Sequence, residues 1–189
     1  MTILGDKAQT LDEQMRDVLQ FLPGVFDQKI RKIVMNKSYR NTMEIARYAE
    51  KLTGVKDVEL LKRHGKEVVE EQFQTEDAVL DEILSKAKLG EDEYETAAII
   101  TMTEAEAFTL YQMLKARGEE VHYIDRNSSV FKKGLTVTTF YLAKGLEFDQ
   151  VFALYTTQDN TPLHRQARYI CATRALHELY MYEVKASQD

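Results

Sequence analysis

The feature that most constrains this chain is an alternation: short runs of β-branched and small apolar residues, each followed by a turn signal and then by an apolar period of helical spacing. TAAIIT at residues 96–101 is the clearest case, an uninterrupted run of buried-strand type. Behind it, Thr103 and Glu106 form a capping box that opens a helix ending near Gly118. A strand apolar on both faces and followed at once by a helix suits a parallel sheet, where crossover helices cover both faces. The fold class that follows is α/β, a mainly parallel sheet flanked by helices.

Other segments repeat the unit. Residues 29–39 (KIRKIVMNKSY) predict a strand ending in a turn, with Asn41 and Glu44 as the cap and N3 pair of a helix that stops near Gly54. Residues 68–73 predict a strand, after which Thr75 caps a helix with Val79, Leu80, Ile83, Leu84 and Ala87 on one face. GLTVTTF (134–140) predicts a strand, YLAKGLEFD (141–149) a turn and QVFALYT (150–156) the next strand. Thr161 and Pro162 then open a helix over residues 163–175, leading to a closing strand, LYMYEV (179–184). The first 28 residues, with Pro23-Gly24 near their end, read as an edge or connector.

Charge and cysteine content exclude several roles. With 25 Lys+Arg against 31 Asp+Glu the net charge is −6, so bulk attraction does not wrap this chain around nucleic acid and any such contact is local. Much of the acid lies between residues 67 and 95, which reads as a solvated face. The single cysteine, Cys171, makes no internal disulfide, and neither CxxC nor a Cys/His cluster offers a metal shell. No basic, apolar leader and no long apolar span is visible, so the expected location is cytoplasmic.

No complete nucleotide site is present. GxxxxGK[ST] and GxGxxG do not occur, and Lys144-Gly145 lacks the upstream glycine and the following Ser/Thr that hold phosphate and Mg²⁺. Cys171 and Arg174 sit within one helix, so no phosphatase-type loop separates them, and Cys171 reads as a buried thiol. Arg174 carries more information. At 100° per residue from Leu163, Ala167 lies at about 40°, Ile170 at about 340° and Arg174 at about 20°, so a guanidinium shares the packed stripe. It is either a C-terminal cation snorkelling outward or an arginine aimed at an anion. Arg165 and Arg168 fall on another face, solvated or turned to a partner. Arg40 follows Tyr39 at the end of a predicted strand, where parallel sheets place ligands, so an aromatic and a cation could share one nucleotide; a Tyr-Arg turn packed on its own helix is the plainer alternative. Glu147 is a turn carboxylate that could meet a ribose hydroxyl or simply water.

The residues also carry a family resemblance. LGDKAQ (4–9), NKSYRNT (36–42), VTTFYLAKGLEFDQV (137–151) and YICATRALHELYMY (169–182) stand in the order of the third to sixth motifs of UvrD/Rep-like superfamily one helicases. The stretch TAAIITMTEAEAFTLYQML resembles the segment between the fourth and fifth. KGLEFD and TRA are the most specific matches. The wording is nearest to the HelD-like branch, with Ala172 inserted between Cys171 and Thr173. The resemblance implies a second, C-terminal RecA-like lobe over residues 29–189, preceded by the end of the first lobe over 1–28. In such motors ATP with Mg²⁺ lies between the lobes, and the first lobe supplies the P-loop. By motif, Arg40 and Arg174 would face the γ-phosphate, Gln9 would sense it, Tyr39 would stack on the adenine and Glu147 would bond the ribose.

This sequence departs from the family where single-stranded DNA is held. The usual T-x-H-S-A-K-G is here Thr139-Phe140-Tyr141-Leu142-Ala143-Lys144-Gly145, without the His and Ser. Thr139, Tyr141 and Lys144 are the candidates for nucleic-acid contact, with Tyr141 able to stack on a base. Fewer than about 100 residues separate Arg40 from Val137, too few for an inserted domain beside this lobe's own elements. The expected partners are an N-terminal RecA-like lobe and single-stranded or duplex DNA. A HelD-like ATPase lobe acting on RNA polymerase and a non-catalytic α/β interaction module are the alternatives. A lobe alone would be inactive, because 189 residues hold one lobe and not the motor.

Overall fold

The computed structural model describes residues 24–25, 33, 37–54, 59–60, 62–90, 93–128, 131–156 and 161–185. The element order is β1 (Lys37–Ser38), α1 (Met43–Thr53), β2 (Glu59–Leu60), β3 (Val69–Phe73), α2 (Glu76–Lys86), β4 (Thr96–Thr101), α3 (Glu104–Ala116), β5 (Val121–Tyr123), β6 (Gly134–Thr139), β7 (Phe148–Thr156), α4 (Pro162–Arg174) and β8 (Ala175–Val184). Six strands form one sheet in the order β3-β8-β7-β4-β6-β5, and every neighbouring pair is parallel. This is the mainly parallel, helix-flanked sheet that the alternation predicts.

The central strand explains the layering. All six residues of β4 are buried, and alternate side chains point to opposite faces. Ala97 and Ile99 join Leu80, Ile83, Leu110 and Leu114 of α2 and α3 on one side. Ala98 and Ile100 join Ile45 of α1 and Ala167 and Cys171 of α4 on the other. A fully buried Ile on either face contributes about 1.5–3 kcal/mol, so β4 fastens both helix layers.

Local signals set most helix starts. Thr75, Thr103 and Thr161 each accept a backbone N–H as N-caps; Thr103 and Glu106 complete the capping box, and Pro162 opens α4. The cap of α1 is a correction: Thr42, not Asn41, accepts from Ile45 N. Asn41 instead donates its Nδ2 to Ala175 O at 2.6 Å, across 134 residues of chain. Glu44 reaches the segment at residues 62–68, accepting from Gly65 N at 2.8 Å and meeting His64 Nδ1 at 2.9 Å.

Two further expectations change. Ser38 and Lys37, the described end of the predicted strand over 29–39, lie outside the main sheet and pair with β2. A three-residue edge strand, β5, was not foreseen; its Tyr123 packs on Tyr111 and Phe108 of the helix before it. The acidic stretch is largely exposed as expected, though Asp77 and Asp81 both bind Arg117 and so tie α2 to α3.

Candidate nucleotide-facing site

The connector between β6 and β7 builds one wall of the site. β6 and β7 flank β4, so residues 140–147 must carry the chain from the carboxyl edge of the sheet back to its amino edge. Ala143 N bonds Thr139 O at 2.9 Å and Leu146 N bonds Ala143 O at 3.0 Å, making a compact coil. Gly145 has φ 86°, a left-handed conformation that a residue with a Cβ resists, which is why the KGLEF wording needs its glycine. The coil delivers Leu146 and Glu147 immediately before β7.

Helix α4 delivers the opposite wall. It returns from the carboxyl edge and ends at Arg174, immediately before β8, and Phe148 and Ala175 are register partners. Glu147 and Arg174 are therefore neighbours at the amino edge of the sheet. Arg40 follows the end of a strand as expected, but that strand is β1, outside the main sheet, and Arg40 Nε meets Glu147 Oε1 at 2.6 Å, beside the starts of β7 and β8.

Arg174 is only 2% exposed, so the outward-snorkelling alternative is excluded. Its Nη1 donates to Leu146 O at 3.2 Å and its Nη2 to Thr173 Oγ1 at 3.2 Å, while the buried Nε has no partner among the described residues. Burial, followed by the neighbouring positive charge of Arg40, lowers its pKa, and Glu147 offsets this in part. The cation is held where water solvates it poorly and where the protein supplies incomplete compensation. An incoming anion would correct both.

Around this pair, Tyr39 is 65% exposed, an available aromatic face next to Arg40. The remaining arginines of α4 diverge: Arg165 is exposed, whereas the Arg168 guanidinium lies 5.2 Å from the Tyr155 ring centroid. Cys171 is fully buried and burial raises its thiol pKa to about 12, so it is an inert core residue. Gln9 lies outside the described residues. Sequence reasoning missed Arg63, whose Nη2 donates to Arg40 O at 2.6 Å and also to Leu176 O. No local pattern marks it, because its partners are 23 and 113 residues away.

The candidates for nucleic-acid contact lie at the end of β6 and in the connector after it. Tyr141 is 54% exposed and Lys144 is exposed. Thr139 is buried, and its Oγ1 accepts from Leu142 N at 3.3 Å, so its hydroxyl serves the turn. A cleft of about 230 Å³ also opens at the carboxyl edge of the sheet, but Glu76, Asp77 and Glu106 in its lining oppose a phosphate.

The chain is thus a parallel α/β lobe with Arg40 and Arg174 beside the starts of β7 and β8. Residues 134–182 match the UvrD-like helicase C-terminal domain. The chain is also similar to the crystal structure of the C-terminal domain of a possible DNA helicase from Lactobacillus plantarum WCFS1. They share 30% identity and a TM-score of 0.59, over 78% of this chain and 88% of that one. The chain belongs to the UvrD-like helicase C-terminal domain family. A more distant likeness is to Arterivirus nonstructural protein 10 (helicase), solved with DNA: 17% identity, TM-score 0.41, 62% of this chain and 28% of that one. No curated protein matches the chain. Among the described residues, no helix is long and apolar enough to cross a membrane.

Proposed function

We propose that this chain is the C-terminal lobe of an ATP-dependent, DNA helicase-type motor of the cytoplasm, and that its amino edge closes on ATP held by a first RecA-like lobe. Residues 1–28 end that first lobe and residues 29–189 form the second. The observation that carries the reading is Arg174, a guanidinium 2% exposed, set beside a second arginine, whose Nε has no partner among the described residues.

The residues present fit a nucleotide. Arg174 and Arg40 would neutralise charge on the terminal phosphate, Gln9 would sense that phosphate, Tyr39 would stack on the base, and Glu147 would bond the ribose once released from Arg40. Bound ATP with Mg²⁺ supplies the phosphoryl group whose charge is dispersed in transfer. The contribution of this lobe is to hold two guanidinium groups ready at that charge without later reorganisation. Arg174 is fixed by its helix end and two hydrogen bonds; Arg40 is held in reserve by an exposed carboxylate.

The test is ATP turnover by a protein carrying both lobes, with Arg174→Met against the parent. A loss of about 10³-fold or more is expected, as for an arginine that stabilises phosphoryl transfer. Unchanged turnover would overturn the reading and favour a non-catalytic interaction module.

Tyr141 and Lys144 are the exposed residues proposed to meet single-stranded or duplex DNA, by stacking and by phosphate attraction. The committed hydroxyl of Thr139 favours a second reading, in which ATP-driven movement of this lobe remodels RNA polymerase as in HelD-like factors. Duplex unwinding supports the first reading, and ATP-dependent association with polymerase without unwinding supports the second.

A further inference from the structure

We infer that Arg63 is a positioning residue for Arg40, bracing the backbone that carries it against the start of β8. The inference rests on the proposed nucleotide-facing role of Arg40. Arg63 belongs to the 62–68 segment between β2 and β3, distant in sequence from both walls of the site.

One guanidinium nitrogen, Nη2, bridges two carbonyl oxygens, that of Arg40 at 2.6 Å and that of Leu176. The Arg63 carbonyl in turn accepts from Met43 N at 2.8 Å, one of the free amides at the start of α1. A single residue thus holds the 40–43 segment at both ends. Asn41, donating to Ala175 O, supplies a parallel stitch to β8.

The segment bearing Arg63 is itself fixed. His64 and Gly65 N both bind the Glu44 carboxylate, and Lys66 Nζ lies 2.8 Å from the buried Glu178. A Cβ on Gly65 would stand 2.5 Å from Thr42 Cγ2, so this segment lies directly against the cap of α1. The side chain of Arg40 is exposed, and its pair with Glu147 is solvent-screened, so the position of its backbone decides where the guanidinium can reach. A guanidinium displaced by about 1 Å can lose about 10²-fold of its catalytic effect. A lysine ammonium ends one bond short of the position Nη2 occupies between the two carbonyls, so the exchange is not conservative.

Two measurements test this. In the 189-residue chain, amide hydrogen exchange at residues 40–43 should quicken by about tenfold or more in Arg63→Ala and Arg63→Lys, with β4 and β7 unchanged. Unchanged exchange would overturn the brace whatever the fate of the ATP reading. In a protein carrying both lobes, Arg63→Ala and Arg63→Lys should each lower kcat for ATP by about tenfold or more, with KM changing less than about threefold. Adding Arg40→Ala to either should give no greater loss than Arg40→Ala alone, because the brace acts through Arg40. Multiplicative losses, or full rescue by lysine, would reduce Arg63 to a general fold contact and overturn the inference. Arg63→Lys keeps the charge and serves if the alanine variant fails to fold. If Arg40→Ala leaves turnover unchanged while exchange still quickens, the brace stands and the nucleotide role of Arg40 falls.

Discussion

Arg174 and Glu178 stand four residues apart across the junction of α4 and β8, each 2% exposed, and the protein treats the two charges in opposite ways. Glu178 Oε1 accepts from Lys66, Lys88 and Tyr94, and Oε2 from Gln150 and Tyr180. Burial pushes its pKa up, but the bonds from Lys66, Tyr180, Lys88 and Gln150 outweigh it and bring the carboxyl down to about 2. Arg174 has two acceptors and no partner for Nε among the described residues, and burial followed by the charge of Arg40 lowers its pKa. A satisfied buried charge is a structural node; a buried charge left short of an anion is a candidate for one that arrives.

The sharpest way to break this contrast is to remove each charge. Arg174→Met should cost a two-lobe protein about 10³-fold or more in ATP turnover while leaving the melting temperature of the lobe unchanged or raised, since it replaces a poorly compensated cation with an apolar side chain. A large fall in melting temperature would show that Arg174 is a node like Glu178. Glu178→Ala should do the reverse and destabilise the lobe by about 3 kcal/mol in chemical denaturation. Breaking a buried ion pair costs about 3–5 kcal/mol, and the half-exposed heads of Lys66 and Lys88 can turn to water, which favours the lower figure. A change below about 1 kcal/mol would remove the distinction.

The same carboxylate gives a pH signature. Its folded pKa is depressed from 4.5 to about 2, so its stabilisation is present above 4.5 and is lost as pH falls through that window toward 2. The loss attributable to this group is roughly 3 kcal/mol. Acid denaturation of Glu178→Gln should therefore show a flatter dependence than the parent between pH 4.5 and 2, and an identical slope would place the titrating group elsewhere.

The two charges also show what a sequence can disclose. The position of Arg174 on the packed stripe was legible because helical period is local, and so were the caps at Thr75, Thr103 and Thr161. The parallel sheet followed from the same alternation. Glu178 carried no mark, because every partner except Tyr180 comes from 28 to 112 residues away, and lysines, a glutamine and tyrosines look like ordinary surface. Asn41 looked like a cap until Ala175 O took its amide, and Thr42 inherited the role. The amino-edge location was hidden for a topological reason: which end of a parallel sheet a turn occupies depends on whether the connector has already crossed back, and residues 140–147 have. The resemblance put Arg40, Glu147 and Arg174 in one site; their ordering into one buried cation and one exposed pair comes from the fold.

That exposed pair gives the smallest effect and the finest test. Arg40 and Glu147 meet at 2.6 Å with both side chains 41% exposed, so solvent screens the attraction and two long side chains lose freedom to make it. Arg40→Ala, Glu147→Ala and the double variant should each change stability by less than about 1 kcal/mol, with a coupling energy of about 0.2–1 kcal/mol that shrinks further in high salt. Arg40→Ala should nonetheless slow ATP turnover in a two-lobe protein if, as proposed, its guanidinium passes from Glu147 to phosphate. On the proposed reading a weak, salt-sensitive pair is what a reserve cation needs, because Glu147 can yield Arg40 at little cost. A coupling energy above about 2 kcal/mol would mean that the pair is a structural lock, and the division between a charge that holds the lobe together and charges held ready for an anion would then have to be drawn through Arg174 alone.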